Sequence, residues 1–341
     1  MADFVRRVAR RLLRRNAPGS PPLVLGFGDW GSLTGPTLAV CHPGWRGVRT
    51  ATHAFGDPVV ESDDLLRDAP EIVANARGAG VGTVVVHAFP PGADRFLEMA
   101  SSAGLGTRAV VHSSMTQHGG EAFEAAFVSR IVDLASSGVI DRIGFVKAGM
   151  AEAFAALGIP ASHTPNRAPR LPEFERIELT GAPPRIGVFA KPFWRKNVVT
   201  QLGAVAILGG TAHVMEDPEV GYLDGLPMVV HGELPWERFV ALQASVDLNL
   251  YVSLSECHPM SPMESYLAGV PCLISPTSEV FADDPALRDL TTVVEIDDPR
   301  AIARAARSLM DGRDAAIPMA RAWIKRFDRD AARHWADFTT G

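Results

Sequence analysis

Short runs of apolar, mostly β-branched residues alternate along this chain with longer stretches of helical period. In the first half the runs are Leu23–Leu25, Thr37–Val40, Thr83–His87 and Ala109–His112. In the second half they are Arg185–Phe189, His213–Met215, Pro227–His231, Val246–Val252, Cys272–Ser275 and Thr292–Ile296. Strands that alternate with helices predict parallel sheets covered on both faces, hence doubly wound α/β domains. Between the halves, Pro160 through Pro184 carries six prolines and little periodicity, as expected of an interdomain linker. The stretch from Met319 to Phe338 is amphipathic and reads as a closing helix. The expected division is a leading segment 1–22, a first domain 23–165, a linker 166–184, a second domain 185–318 and a final helix 319–341.

The length of 341 residues suits about two domains, and 47% hydrophobic content is ample for their cores. A formal net charge of -6 gives no overall pull toward nucleic acid. Cys41, Cys257 and Cys272 are too few and too scattered for a disulfide framework or a zinc site. No apolar run reaches the roughly 18 residues of a membrane span, and the start lacks the apolar core of a signal peptide, so the expected location is cytoplasmic. One local exception bears on that. Phe4, Val5, Val8, Leu12 and Leu13 share a helical face while six arginines between Arg6 and Arg15 crowd the other. Such a helix either packs on the first domain by its apolar edge or makes peripheral contact with anionic lipid.

Candidate chemistry concentrates in the second half. From Ser255 to Pro271, Glu256 and Glu264 flank a turn that opens into a short helix, delivered by the strand-like run Val246–Val252. Ser261 suits the N-cap, Pro262 the first helical position, and Gly269 with Pro271 the end. A helix N-terminus attracts anions. Pro259 and Pro262 carry no amide, which leaves those of Met260, Ser261 and Met263 as donors, with His258 in the same turn. Ser261-x-x-Glu264 also spells a capping box, so Glu264 is either a cap or a ligand contact. Upstream, Lys191, Arg195 and Lys196 surround Phe193-Trp194 before a predicted helix Val198–Leu208, where cations and a helix end converge. The sequence leaves open which of Arg195 and Lys196 lies closer to an anion.

The Ser-Glu…Glu-Ser…Ala-Gly-Val-Pro frame around Glu256 and Glu264 resembles the glutamate-rich donor motif of family 4 glycosyltransferases and their GT-B relatives. Arg185 through Asn197 resembles that family's strand, basic loop and helix entry, with Lys191 where an arginine is usual and Lys196 at the family's lysine. His231-Gly232-Glu233 resembles the loop before the helix that leads to Asp247, with Gly232 at its turn. The resemblance implies an α/β chain of GT-B type, two doubly wound Rossmann-like domains facing a central cleft. It implies transfer of a sugar from a UDP- or GDP-linked donor to an acceptor hydroxyl, with retention, without a metal and without a cofactor. Lys191, Arg195 and Lys196 would hold the diphosphate, Glu256 the donor sugar's hydroxyls and Glu264 the ribose. It also implies that the final helix crosses back to the first domain.

The first half follows the family pattern less closely. Relatives often place His-Thr-x-His after the strand that corresponds to Arg108–Val111. Here His112 fits the first histidine, the second position reads Met115, and His118 lies three residues further on. His87, ending its strand, is a further candidate near the same cleft. Gly26-Phe27-Gly28-Asp29-Trp30-Gly31 spells a dinucleotide turn, but Gly35-Pro36 breaks the helix such a turn needs, so Gly28 and Gly31 are expected to let a loop approach the cleft. Asp328-Arg329-Asp330 is the sole Asp-x-Asp, and on a helix its carboxylates diverge, which disfavours a metal site. Two rivals remain: a sugar-nucleotide-binding protein without turnover, because of Met115, and a nicotinamide-dependent oxidoreductase, because of the glycine turn.

Overall fold

The structure, a computed structural model, describes residues 35–341. The basic segment 1–22, the run Leu23–Leu25 and the glycines Gly28 and Gly31 lie outside the described residues. Six strands form a first, wholly parallel sheet: β1 (Thr37–Cys41), β2 (Val59–Glu61), β3 (Thr83–His87), β4 (Gly106–Val111), β5 (Arg142–Phe145) and β6 (Ala161–His163). Their spatial order is β2-β1-β3-β4-β5-β6. Five more form a second parallel sheet: β7 (Arg185–Val188), β8 (Thr211–Val214), β9 (Met228–Val230), β10 (Leu248–Tyr251) and β11 (Cys272–Ile274), ordered β11-β10-β7-β8-β9.

Strand alternation explains why both faces of the first sheet are apolar. Leu38, Val40, Val84 and Val86 point into one core, while Val85 and Val110 point the other way into a cluster with Phe55, Trp335 and Phe338. Trp335 and Phe338 belong to the last helix, Arg313–Thr340, whose earlier residues Ala316, Ala320, Trp323 and Ile324 pack in the core of the second sheet. At ~1.5 Å per residue this helix is about 42 Å long, enough to join the two bodies. Arg108 donates to the carbonyl of Phe338 at 3.1 Å, satisfying one of the carbonyls a helix end leaves open. Midway along it, Asp328 takes a two-pronged contact from Arg167 at 3.0 and 2.7 Å, which fastens the irregular segment 164–184 to the helix.

Two sequence expectations fail. Thr292–Ile296 is not a strand: Thr292 alone makes a bridge to Ile274, and Val294 is 74% exposed, because β11 ends at Ile274 and offers no strand residue beyond it to pair with. The helix after Glu256 begins at Met260, not Pro262, with Pro259 at the N-cap and no side-chain cap. Pro259 holds the extended φ/ψ of an N-cap by its ring, so Ser261 is displaced into the first turn and the Ser261–Glu264 capping box does not form. No helix among the described residues is long and apolar enough to cross a membrane.

Candidate active site between the two sheets

In the second sheet the chain runs β7, β8, β9 in one direction and then returns to place β10 on the other side of β7. The loops leaving β7 and β10 therefore diverge from a shared crevice, the place where doubly wound sheets bind ligands. Gly187 permits this approach, since a Cβ there would lie 2.4 Å from Asn249 Oδ1 and 2.4 Å from the Phe189 ring. Beyond β7 the chain makes a tight turn, Trp194–Lys196, and enters the helix Val198–Leu208 through Asn197 at φ 54°. Asn197 Nδ2 donates to the carbonyls of Val252 (3.1 Å) and Ile296 (2.6 Å). Gln201 accepts from the Val252 amide at 2.9 Å and donates to the Lys196 carbonyl at 2.8 Å. The Leu254 amide donates to the Arg195 carbonyl at 2.8 Å. The basic loop and the glutamate loop are thus stitched into one unit by the Asn197 and Gln201 side chains and by the Leu254 backbone contact.

At its centre Lys196 Nζ hydrogen-bonds the carboxylate of Glu256 and, at 2.7 Å, the hydroxyl of Tyr251. The lysine side chain is 14% exposed and that of Glu256 is 7% exposed. Burial pushes the Lys196 ammonium below its ordinary pKa, and the Glu256 charge opposes that shift. Burial and the same carboxylate push the Tyr251 hydroxyl well up. A largely buried cation held by one carboxylate and one hydroxyl is a group that an incoming anion could recruit by displacing the carboxylate.

Glu264 lies in the helix Met260–Leu267 and is 3% exposed. Burial raises its carboxyl to about 8, opposed only by the charge of Arg46. Arg46 starts the helix Arg46–Phe55 after β1, and its guanidinium lies 4.0 Å from the ring centre of Phe239 and 5.6 Å from that of Trp236. It therefore carries a first-sheet cation onto the aromatic face of the second body. The amides of Met260 and Ser261 occupy the first turn of the Glu264 helix, while Met263, buried, is its fourth residue.

The remaining expected residues fall around this centre. Lys191 is exposed and pairs with Glu233 at 3.4 Å, next to Gly232 in the left-handed region at φ 70°. Arg195 lies 3.5 Å from Glu121 of the first domain. His118 Nε2 meets Ser113 Oγ at 3.0 Å, and His112 Nε2 meets His87 Nδ1 at 3.1 Å, so the two candidate histidines have separate partners. Burial lowers His112 to about 4 and His87 well below its usual range, so both are neutral. Met115 opens the helix Met115–Gly120 and is 53% exposed. His258 is buried and stacks on Phe327, and its carbonyl accepts from Asn166 at 2.7 Å. Among the described residues no group of three His, Cys, Asp or Glu side chains is placed to hold a metal ion.

Sequence reasoning missed Tyr251 and Arg46. Tyr251 reads as one more aromatic strand residue, and only its place at the carboxyl end of β10 signals that its hydroxyl faces the crevice. Arg46 follows the Pro43-Gly44 turn that ends β1, and a cation just past such a strand end was the available signal.

No protein-family model and no curated protein sequence matches the chain. Solved structures do. An alpha,alpha-trehalose-phosphate synthase (UDP-forming) from Burkholderia xenovorans, in complex with glucose-6-phosphate, is similar with TM-score 0.60 at 10% identity over 89% of this chain and 98% of that one. A sucrose-phosphate synthase from Thermosynechococcus elongatus is similar with TM-score 0.56 at 13% identity over 88% and 99%. TarM is similar with TM-score 0.56 at 10% identity over 76% and 55%. The fold is therefore GT-B: two parallel doubly wound bodies and a crossing C-terminal helix, as the sequence pattern and the resemblance led one to expect.

Proposed function

We infer that the chain is a glycosyltransferase that moves a sugar from a nucleoside-diphosphate sugar to an acceptor hydroxyl. The observation that carries this reading is the largely buried Lys196–Glu256 pair at the switch point of the second sheet, with Arg195 beside it and the buried carboxyl of Glu264 one helix turn into the next element. Lys196 and Arg195 would take up the charge that develops on the diphosphate, the main electrostatic lever on such a reaction. Lys191, exposed at the rim, would reach the same group. Glu256, released from Lys196, would accept hydrogen bonds from the donor sugar, and Glu264 from the ribose.

In the retaining, metal-independent course that the family resemblance implies, the C1–O bond to the diphosphate breaks as the acceptor oxygen bonds C1 on the same face. The acceptor proton passes to the departing phosphate oxygen. No protein nucleophile and no resident cofactor is needed, and UDP or GDP is the expected carrier. The structural neighbours named above include a UDP-forming synthase, which favours UDP as the first nucleotide to test.

Titration of UDP, GDP and NAD against the protein tests this reading. Micromolar to millimolar binding of UDP or GDP that Glu264→Ala weakens, followed by acceptor-free hydrolysis of one nucleotide-sugar in a panel, is the expected result. Binding without any hydrolysis or transfer would support the non-catalytic alternative, and binding of NAD alone would overturn the assignment.

A further inference from the structure

Lys147 is a first-domain residue whose side chain ends inside the second. It follows β5 and directly precedes the helix Ala148–Ala156. Its Nζ donates to the carbonyl of Glu256 at 3.0 Å and to that of Thr277 at 2.9 Å. Those carbonyls belong to the loops leaving β10 and β11. Next to it, the Ala148 amide, at the open N-terminal end of its helix, donates to the Glu279 carboxylate at 3.3 Å. Glu279 and Phe281 both adopt left-handed φ, 56° and 64°, conformations that non-glycine residues hold only when their surroundings fix them. Phe281 is anchored against Trp323.

Other first-domain and linker groups hold the same loop. Ser114 Oγ meets Ser255 Oγ at 2.7 Å, Cys257 Sγ lies 3.7 Å from Gln117 Oε1, and Asn166 holds the His258 carbonyl. Every residue from Ser255 to His258 thus has a contact from outside the second body, and the contact to Glu256 is the only charged one of the set. Glu256 is gripped at both ends, its carboxylate by Lys196 and its carbonyl by Lys147.

We propose that Lys147 is a positioning residue that makes the Glu256 loop competent only when the two sheets have closed on one another, by capturing the Glu256 and Thr277 carbonyls together. The inference rests on the donor-site reading above for its catalytic meaning. Opening the cleft removes the ammonium from both carbonyls and leaves the loop held by its own body alone, at the Arg195 carbonyl, at the Val252 amide and through the Lys196 contact to the Glu256 carboxylate, so that its backbone position is no longer fixed from the first domain. Closing restores the geometry, so turnover is confined to the closed state.

The test compares wild type with Lys147→Met and Lys147→Arg. Hydrogen exchange of the ligand-free proteins is read for segments 254–258 and 277–281. Titration of UDP and GDP is followed by kcat and KM for the nucleotide-sugar that wild type hydrolyses fastest. A hydrogen bond from a charged donor is worth roughly a 10- to 100-fold effect, so Lys147→Met should speed exchange in both segments about 10-fold or more, with the rest of the chain unchanged. It should lower kcat by a similar factor and leave the UDP or GDP dissociation constant within about 3-fold, since the Lys147 ammonium is committed to the Glu256 and Thr277 carbonyls. Lys147→Arg should restore most of kcat. Unchanged exchange in the two segments, or equal losses of kcat and nucleotide affinity, would overturn the proposal. If wild type binds neither nucleotide, the donor-site reading fails by itself, and the exchange measurement still decides whether Lys147 holds the loop. Should Lys147→Met not fold, Ser114→Ala, which removes the Ser255 contact, must show the same pattern at smaller amplitude, and its absence counts equally against the proposal.

Discussion

Replacing Lys196 with methionine removes the cation while keeping most of the side-chain volume. Glu256 is then left as a buried carboxylate that has lost its hydrogen-bonded cation, beside the hydroxyl of Tyr251. Deleting one partner of a buried ion pair costs ~3–5 kcal/mol, because the survivor is desolvated without compensation. Glu256→Gln alone leaves a buried ammonium and should cost a similar amount. The double variant Lys196→Met/Glu256→Gln leaves no unpaired charge, so the two penalties should not add, and the coupling energy should reach ~2–3 kcal/mol. Urea unfolding of the four proteins at pH 7, followed by tryptophan fluorescence, reads these differences. Single variants that each cost less than ~1 kcal/mol and sum in the double would mean that the pair is solvent-screened, and the argument for a buried cation poised for a diphosphate would fall.

The same pair predicts an unusual pattern in binding. Because Glu256 competes with any diphosphate for Lys196, Glu256→Gln should tighten UDP or GDP binding several-fold in calorimetry while lowering turnover of the nucleotide-sugar by at least ~100-fold; weaker nucleotide binding would contradict the competition. The Glu264 carboxyl, raised from 4.5 to about 8 by burial, keeps its proton in the native chain after the unfolded chain has lost it. Native stability should therefore fall as pH rises from about 4.5 to about 8, by no more than ~5 kcal/mol, and Glu264→Gln should remove that slope from pH-dependent unfolding. His258 behaves in the opposite sense. It is buried with neither ring nitrogen partnered among the described residues, and burial depresses it to about 3. Stability from keeping it neutral is present above about 6.5 and is lost as pH falls through about 3, so His258→Phe, which preserves stacking on Phe327, should flatten the acid limb of a thermal melting profile.

Much of the fold was legible because its signals are local. The run Thr83–His87 and the helix Val198–Leu208 appear at the boundaries their apolar pattern predicts, since each is buried on the faces that pattern marks. The three-residue strands Val59–Glu61 and Ala161–His163 were not legible, being too short to establish alternation and set only by their neighbours β1 and β5. The start of the Glu264 helix was misread because two prolines compete for the N-terminus, and Pro259 wins as N-cap where Ser261 had the better side chain. Within the candidate site, Glu256 and Glu264 were visible because they share one motif of fixed spacing, and Lys196 because it lies in a basic loop between a strand and a helix. Tyr251, Arg46 and Lys147 were not, because each matters only through a partner 55 or more residues away or across the cleft, which no local pattern encodes.

The claim on which the account depends is that a diphosphate is gripped where the β7 and β10 loops meet. A crystal structure of the protein with UDP or GDP at saturating concentration tests it most directly. The account predicts density for the diphosphate against Lys196 and Arg195, with Glu256 turned away from the lysine and the ribose beside Glu264. Nucleotide bound elsewhere on the protein, or bound while the Lys196–Glu256 contact stays intact, would contradict it.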